Sequence, residues 1–233
     1  MRIYIKIILT LLLLNLLFSE NLINKKLNYK IEFRGLDAGV AYLKLEEDTL
    51  FSKSVLRLNS ELKTNKFMDF FYKIRDDITV YLDSSNLSLL KVINKINEGP
   101  YKKNHWAIFD IDTRNIITKN KHIEVDRAYS PLSIIYSLRK ELLNINDTYK
   151  YDIYSLGKIK KIVMKVLNKE TIRTSFGEFD TIVVSPISNE NLSVIKNNGD
   201  MRIWFTDDQN KYPIKIELKI NYGKLVLLLN TVE

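Results

Sequence analysis

Apolar and polar residues alternate along most of this chain with a period of two. Leu27, Tyr29, Ile31 and Phe33 fall on odd positions, with Lys30, Glu32 and Arg34 between or beside them. Tyr72, Ile74, Ile78, Val80 and Leu82 alternate with Lys73, Arg75, Asp77 and Thr79. Ile214, Ile216, Leu218, Ile220 and Tyr222 alternate with Lys215, Glu217 and Lys219. A strand turns successive side chains to opposite faces, so each run predicts a strand with one face on a core and one in water. Further strands are expected near 39–47, 53–63, 87–97, 102–112, 115–125, 148–156, 159–167, 178–185, 201–206 and 224–232. Roughly a dozen strands joined by short turns is the count of an all-β sandwich or barrel. Asn198-Gly199, Tyr222-Gly223 and Phe176-Gly177 supply glycine where hairpins want positive φ, and residues 35–39 read as a five-residue connection.

One segment departs from period two. Ser130 is a good N-cap and Pro131 a good first helical residue. Leu132, Ile135, Tyr136, Leu138, Leu142 and Leu143 gather on one stripe at helical spacing. The pattern predicts one amphipathic helix, about 131–144, laid against a sheet. A second helical turn is expected at 66–71, where Phe67, Met68, Phe70 and Phe71 crowd. No repeat or linker interrupts the chain. The fold class expected is therefore mainly β: long antiparallel strands forming a curved sheet, half-barrel or barrel-like sandwich, in a single domain over 20–233.

The first nineteen residues have a different pattern. Arg2 and Lys6 precede an apolar run from Ile7 to Phe18, and Ser19 is a small residue at a cleavage position. This is the form of a secretory signal, and the run is shorter than the roughly 20 apolar residues of a membrane span. It predicts an exported protein of the periplasm or envelope, with no transmembrane span in the mature chain. No cysteine is present, which excludes both disulfides and a lipid-modified N-terminal cysteine. Of the net charge of +8, Arg2 and Lys6 belong to this leader, leaving +6. The remaining charges are spread among apolar positions, as on solvated strand faces, so no nucleic-acid partner is expected.

Candidate chemistry is sparse. The chain has no P-loop, no Gly-x-Gly-x-x-Gly and no Gly-x-Ser-x-Gly elbow. His105 and His122 are its only histidines and lack metal-ligand spacing. No cofactor, metal or catalytic residue is assigned. Asp207-Asp208 follows the strand at 201–206, where a turn aspartate bonds its own backbone. Asp76 lies on the apolar parity of its strand and so needs a buried partner, for which Arg139 is the leading candidate. Asp110 and Asp112 share a strand face with Trp106 and Ile108, which is either solvent or a cleft lining.

Some segments also carry a resemblance. The opening Tyr29-Lys-Ile-Glu-Phe-Arg-Gly-Leu-Asp-Ala-Gly39 resembles the first hairpin of an exported bacterial family known only as domain of unknown function 3108. Leu132 to Arg139 is similar to that family's central helix, and Ile172 to Phe179 also fits. Trp204-x-x-Asp207-Asp208 through Pro213 to Gly223 is similar to its C-terminal pattern. Ser130 stands where the resemblance implies an acidic cap, and Lys211 where it implies Arg, which loses a planar fork for any anion. The resemblance implies export and fold and assigns no activity. More loosely, the architecture is similar to periplasmic half-barrel lipoprotein carriers.

Three functions follow as expectations. The first is a non-enzymatic envelope protein binding a lipid or amphiphile in a cavity covered by the helix, lined by Phe67, Phe70, Phe71, Leu132, Ile135, Leu138 and Leu142. The second is a protein that docks an envelope partner by a sheet edge or the Phe-rich loop. A hydrolase built on aspartate pairs is the least supported. Asp76, Arg139, Asp207 and Asp208 are expected to be structural.

Overall fold

The computed structural model describes residues 23–187, 201–220 and 223–233. The leader expected at 1–19 and the turn at Asn198-Gly199 lie outside them. The first run of strands is β1 Lys25–Phe33, β2 Leu36–Leu50, β3 Lys53–Thr64, β4 Arg75–Leu82, β5 Leu89–Glu98 and β6 Tyr101–Asp110, then the short β7 Asn115–Ile117 and β8 His122–Glu124. A one-turn helix, α1 Lys66–Asp69, interrupts the β3–β4 connection. After α2 Pro131–Arg139 come β9 Thr148–Ser155, β10 Lys158–Thr174, β11 Gly177–Ile187, β12 Met201–Thr206, β13 Pro213–Ile220 and β14 Gly223–Val232.

Among the described residues the strands form one 14-stranded sheet in the order β8-β7-β6-β5-β4-β3-β2-β1-β14-β13-β12-β11-β10-β9. Every neighbouring pair is antiparallel, so turns alternate between two ends of the sheet. The first and last strands meet in the middle, Tyr29 opposite Leu229 and Phe33 opposite Leu225. Two wings extend from that centre. They curl until His105 on β6 stands 2.7 Å, Nε2 to hydroxyl, from Tyr154 on β9. Side chains rather than a hydrogen-bond ladder close this seam, so the curved sheet is an open, barrel-like one. The edge of β9 is not bare: Tyr129 pairs with Ile153 as a parallel bridge, donating to Asp152 O and accepting from Tyr154 N. Covering an edge in this way removes a template for unwanted strand addition.

The helix is shorter and more deeply buried than its stripe implies. It stops at Arg139, and the expected extension to 144 is replaced by a turn in which Asp147 Oδ2 accepts from Asn144 N. Local bonds of this kind from Asn and Asp compete with helical ones. Every residue from Ser133 to Arg139 is buried, where a lid against one face would leave an outer stripe in water. Its serines tolerate this because each is hydrogen-bonded. Ser130 and Ser133 form a reciprocal cap, and Ser137 Oγ donates to Ser133 O. The helix is therefore enclosed by the sheet. Beyond its end, Lys140 Nζ reaches Ser85 O on one wing, and Arg139 reaches Asn210 O on the other.

Two further expectations are corrected. The strand expected over 115–125 is a hairpin of two three-residue strands, because Thr118 and Lys121 close a turn within it. The connection at 35–39 is a two-residue turn, Arg34-Gly35, with both residues at positive φ. Gly39 belongs instead to β2. A Cβ there would lie 2.2 Å from Lys63 O, so only glycine lets the end of β3 close on β2.

Candidate functional site at the open end of the sheet

The concave face changes character along its length. Around α2 its residues are fully buried: Leu27, Tyr29, Leu45, Leu58, Val80, Met164, Phe205 and Leu229 join Ile134, Ile135 and Leu138 in one core. Toward the opposite end the same rows continue through Phe33, Leu62, Ile78, Ile96, Leu225 and Leu227, all only half-buried. Strand register puts these on the inner face: Ile31 pairs with Leu227, Phe33 with Leu225, and Val80 with Val92, two pairs before Ile96. The helix fills one half of the trough, and the other half is an apolar mouth.

The β3–β4 connection forms part of the rim. Phe67, Phe70 and Phe71 are 58 %, 86 % and 66 % exposed, and their rings contact one another edge to face at 5.4 and 5.3 Å. Their exposure is not slackness. Asn65 caps α1 by accepting from Met68 N, while its own amides donate to Ala38 O and Asp37 O. Arg75 clamps Asp69 with two bonds, 3.0 and 2.6 Å, and Thr64 bonds the same carboxylate. Those bonds hold the Asp69 carboxyl below its ordinary range. Met68 alone turns inward to pack on the core. A polar brace thus holds three phenyl rings in water, against the usual drive of about 25 cal/mol per Å² toward burial. Rigid apolar exposure of this kind marks interaction surfaces.

A carboxyl pair lies inside the mouth. Asp76 sits on the inner row, as its parity requires, and Oδ1 accepts from Asn97 N at 2.9 Å. Its neighbour is Glu98, pushed up to about 7 by burial, by the hydrogen bond with Asp76 and by that residue's charge. The pair therefore keeps a proton at a pH where ordinary carboxyls have lost theirs. Glu98 escaped the sequence reading although the signal was there: it shares parity with Val92, Asn94 and Ile96.

Arg139 is buried, 4 % exposed, but not against Asp76. Its Nε and Nη2 both donate to Asn210 O, at 3.1 and 2.9 Å, and its guanidinium lies 5.5 Å from the Tyr136 ring and 5.1 Å from the Tyr212 ring. Asp76 is on β4, toward the other end of the trough, so the expected pair does not form. The loop that presents Asn210 is built by Asp208, whose Oδ1 accepts from Thr206 Oγ1, Asn210 N and Lys211 N. Asp207 pairs instead with Lys169 at 2.6 Å. The Trp204…Asp208 block thus shapes the socket for the end of the helix.

The seven apolar residues expected to line one cavity do not converge. The phenylalanines stand at the mouth, Ile135 and Leu138 are in the core of the other half, Leu132 is half-buried, and Leu142 lies past the helix end, 82 % exposed. Asp76, Asp110 and Asp207 are likewise separated; Asp110 caps a turn at the end remote from Asp76. Among the described residues no cluster of three His, Asp or Glu could hold a metal ion, and no helix is long and apolar enough to cross a membrane.

Comparison with known proteins bears on the whole scaffold. The family model described as "Protein of unknown function (DUF3108)" matches residues 28–230. No curated protein matches the chain. Among solved structures, it is similar to the crystal structure of a β-barrel-like protein of domain of unknown function DUF1849 from Brucella abortus. The TM-score is 0.60 at 10 % identity, covering 91 % of this chain and 98 % of that one, a likeness of fold.

Proposed function

We propose that this chain, which belongs to the DUF3108 family of proteins of unknown function, is an exported, non-enzymatic envelope protein that holds an amphiphile in the open half of its curved sheet. The observation that carries the reading is the passage of the inner rows from buried to half-buried, from Tyr29 and Ile31 to Phe33 and from Leu229 to Leu227 and Leu225. An acyl chain laid on those rows removes apolar surface from water, and the polar end of the molecule stays at the mouth. In this reading α2 is the floor of the site rather than its lid. Export rests on the leader at Arg2 to Ser19.

The alternative, a protein partner added at a sheet edge, has less support. β8 offers only three residues, and Tyr129 already covers part of β9. Titration with a fluorescent fatty-acyl probe tests the amphiphile reading. Saturable binding with a negative heat-capacity change is expected, because apolar burial carries that signature. Leu225→Lys, between Phe33 and Leu218 and checked for an unchanged melting temperature, should weaken it about tenfold or more, the loss expected from a charge in an apolar site. Absence of saturable binding by the natural chain, or equal binding by the folded variant, overturns the reading.

A further inference from the structure

The open end of the sheet has a second property that the trough does not explain. Among the described turns, that end carries Lys66, Lys73, Lys102, Lys119, Lys121 and Lys158, all exposed and none in an ion pair with a carboxylate. The acids there are fewer. Asp37 follows a turn that also carries Arg34, Asp69 is neutralised by Arg75, and Glu98 lies inside the mouth beside Asp76. At the opposite end the balance reverses: in or beside the described turns Asp83, Asp110, Asp112, Glu124, Asp126, Glu141, Asp147, Asp207 and Asp208 outnumber Lys53, Arg114, Arg127, Lys140 and Lys211. Up-and-down topology sorts these residues, because alternate turns fall on the same end. The result is a charge dipole along the trough, with the exposed phenylalanines at its positive pole.

We infer that the open end docks on an anionic lipid bilayer, Phe67, Phe70 and Phe71 entering the headgroup region while the surrounding lysines meet lipid phosphates. Apolar anchors flanked by cations are what such a surface selects, since burial and attraction to anionic headgroups add. A charge dipole also turns the molecule so that the correct end arrives first. The bracing of α1 fits this role, because rings already ordered in water lose little freedom on insertion. A protein surface is the weaker match. Lys66 and Lys73 flank the rings on both sides in sequence, so an apolar partner pocket would have to desolvate cations at its edge. Docking by this end would bring the mouth of the trough against the lipid. The inference stands without the amphiphile reading, which is measured free of vesicles.

The test is flotation of the protein purified from the cell envelope with vesicles of phosphatidylcholine alone and of phosphatidylcholine mixed with phosphatidylglycerol. Binding is expected to the mixed vesicles and at least about tenfold weaker to the neutral ones, falling further as salt screens the lysines. Lys66→Glu with Lys73→Glu should abolish the preference for anionic lipid. Phe67→Ser, Phe70→Ser and Phe71→Ser together should lower binding about tenfold at constant salt, from loss of the apolar anchors. Lys140→Glu, at the other end, should change nothing. Equal binding to both vesicle types, no binding to either, or full binding by both the lysine and phenylalanine variants overturns the proposal. So does a stable complex with an envelope protein that competes with the vesicles for the same rings.

Discussion

The two halves of the trough use polar groups in opposite ways. In the helix-filled half, polar groups complete a core: Arg139 is held by Asn210 O between two tyrosine rings, and Ser130, Ser133 and Ser137 bond within the helix. In the open half, polar groups hold apolar ones out of a core. Asn65, Asp69 and Arg75 fix a turn whose three phenylalanines face water, and Asp76 and Glu98 occupy inward positions. The first half is organised for stability. The second leaves apolar residues in water, the pattern by which sites are commonly distinguished from scaffold.

The largest expected effect tests the filled half. Arg139→Ala removes both bonds to Asn210 O and the packing between Tyr136 and Tyr212, and should cost about 3 kcal/mol in denaturant titration. Arg139→Lys should recover only part of this, because an ammonium lacks the planar fork and lies less well between rings. A cost well below 1 kcal/mol for the alanine variant would put the two halves on the same footing.

A pH profile sharpens the contrast at the mouth. Glu98 is raised from an ordinary 4.5 to about 7, so the folded state holds its proton more tightly than the unfolded chain. Its contribution to stability is complete below pH 4.5 and is lost as pH rises toward 7. Glu98→Gln should flatten that part of the profile and leave the variant the more stable protein at pH 8. Equal slopes for the two proteins between pH 5 and 7 would show that Glu98 carries no such load.

The smallest effect is expected at the rim. Phe70→Ser with Phe71→Ser should change the unfolding free energy by less than about 0.5 kcal/mol, as exposed substitutions do. Unfolding of the double variant would mean that the rings support the fold rather than a surface.

How far the sequence could be read follows the same division. Period two disclosed strands and faces, because one side of each is drawn toward the core, fully buried near the helix and half-buried toward the open end. It misjudged 115–125, where Thr118 and Lys121 close a turn that leaves the alternation intact. The helix was visible from Ser130-Pro131 and its apolar stripe. Its full burial was not, since Ser133 and Ser137 look solvent-facing until their bonds inside the helix are known. Asp76 was recognised as inward by parity, but its neighbour Glu98 comes from the next strand. Which strands lie side by side is a matter of register that spacing along one strand does not reveal. The same reason misassigned the partner of Arg139, a backbone carbonyl at Asn210, which leaves no mark on composition.

The pairing of β1 with β14 also orders events in time. Leu27 faces Val232, and Lys26 and Glu233 exchange two backbone bonds, so the earliest and latest strands are neighbours at the centre of the sheet. A ribosome delivers residue 27 some two hundred residues before its partner. Until then each wing lacks one flank and shows apolar rows to its surroundings. Contacts this distant in sequence make folding slow and leave unpaired strands exposed to aggregation meanwhile. Under the export proposed above this delay would be an advantage, because the polypeptide could thread through a translocation pore before its sheet is able to close. Moving the termini to the 156–157 turn by circular permutation would join the two central strands early and should speed refolding while leaving the final structure unchanged.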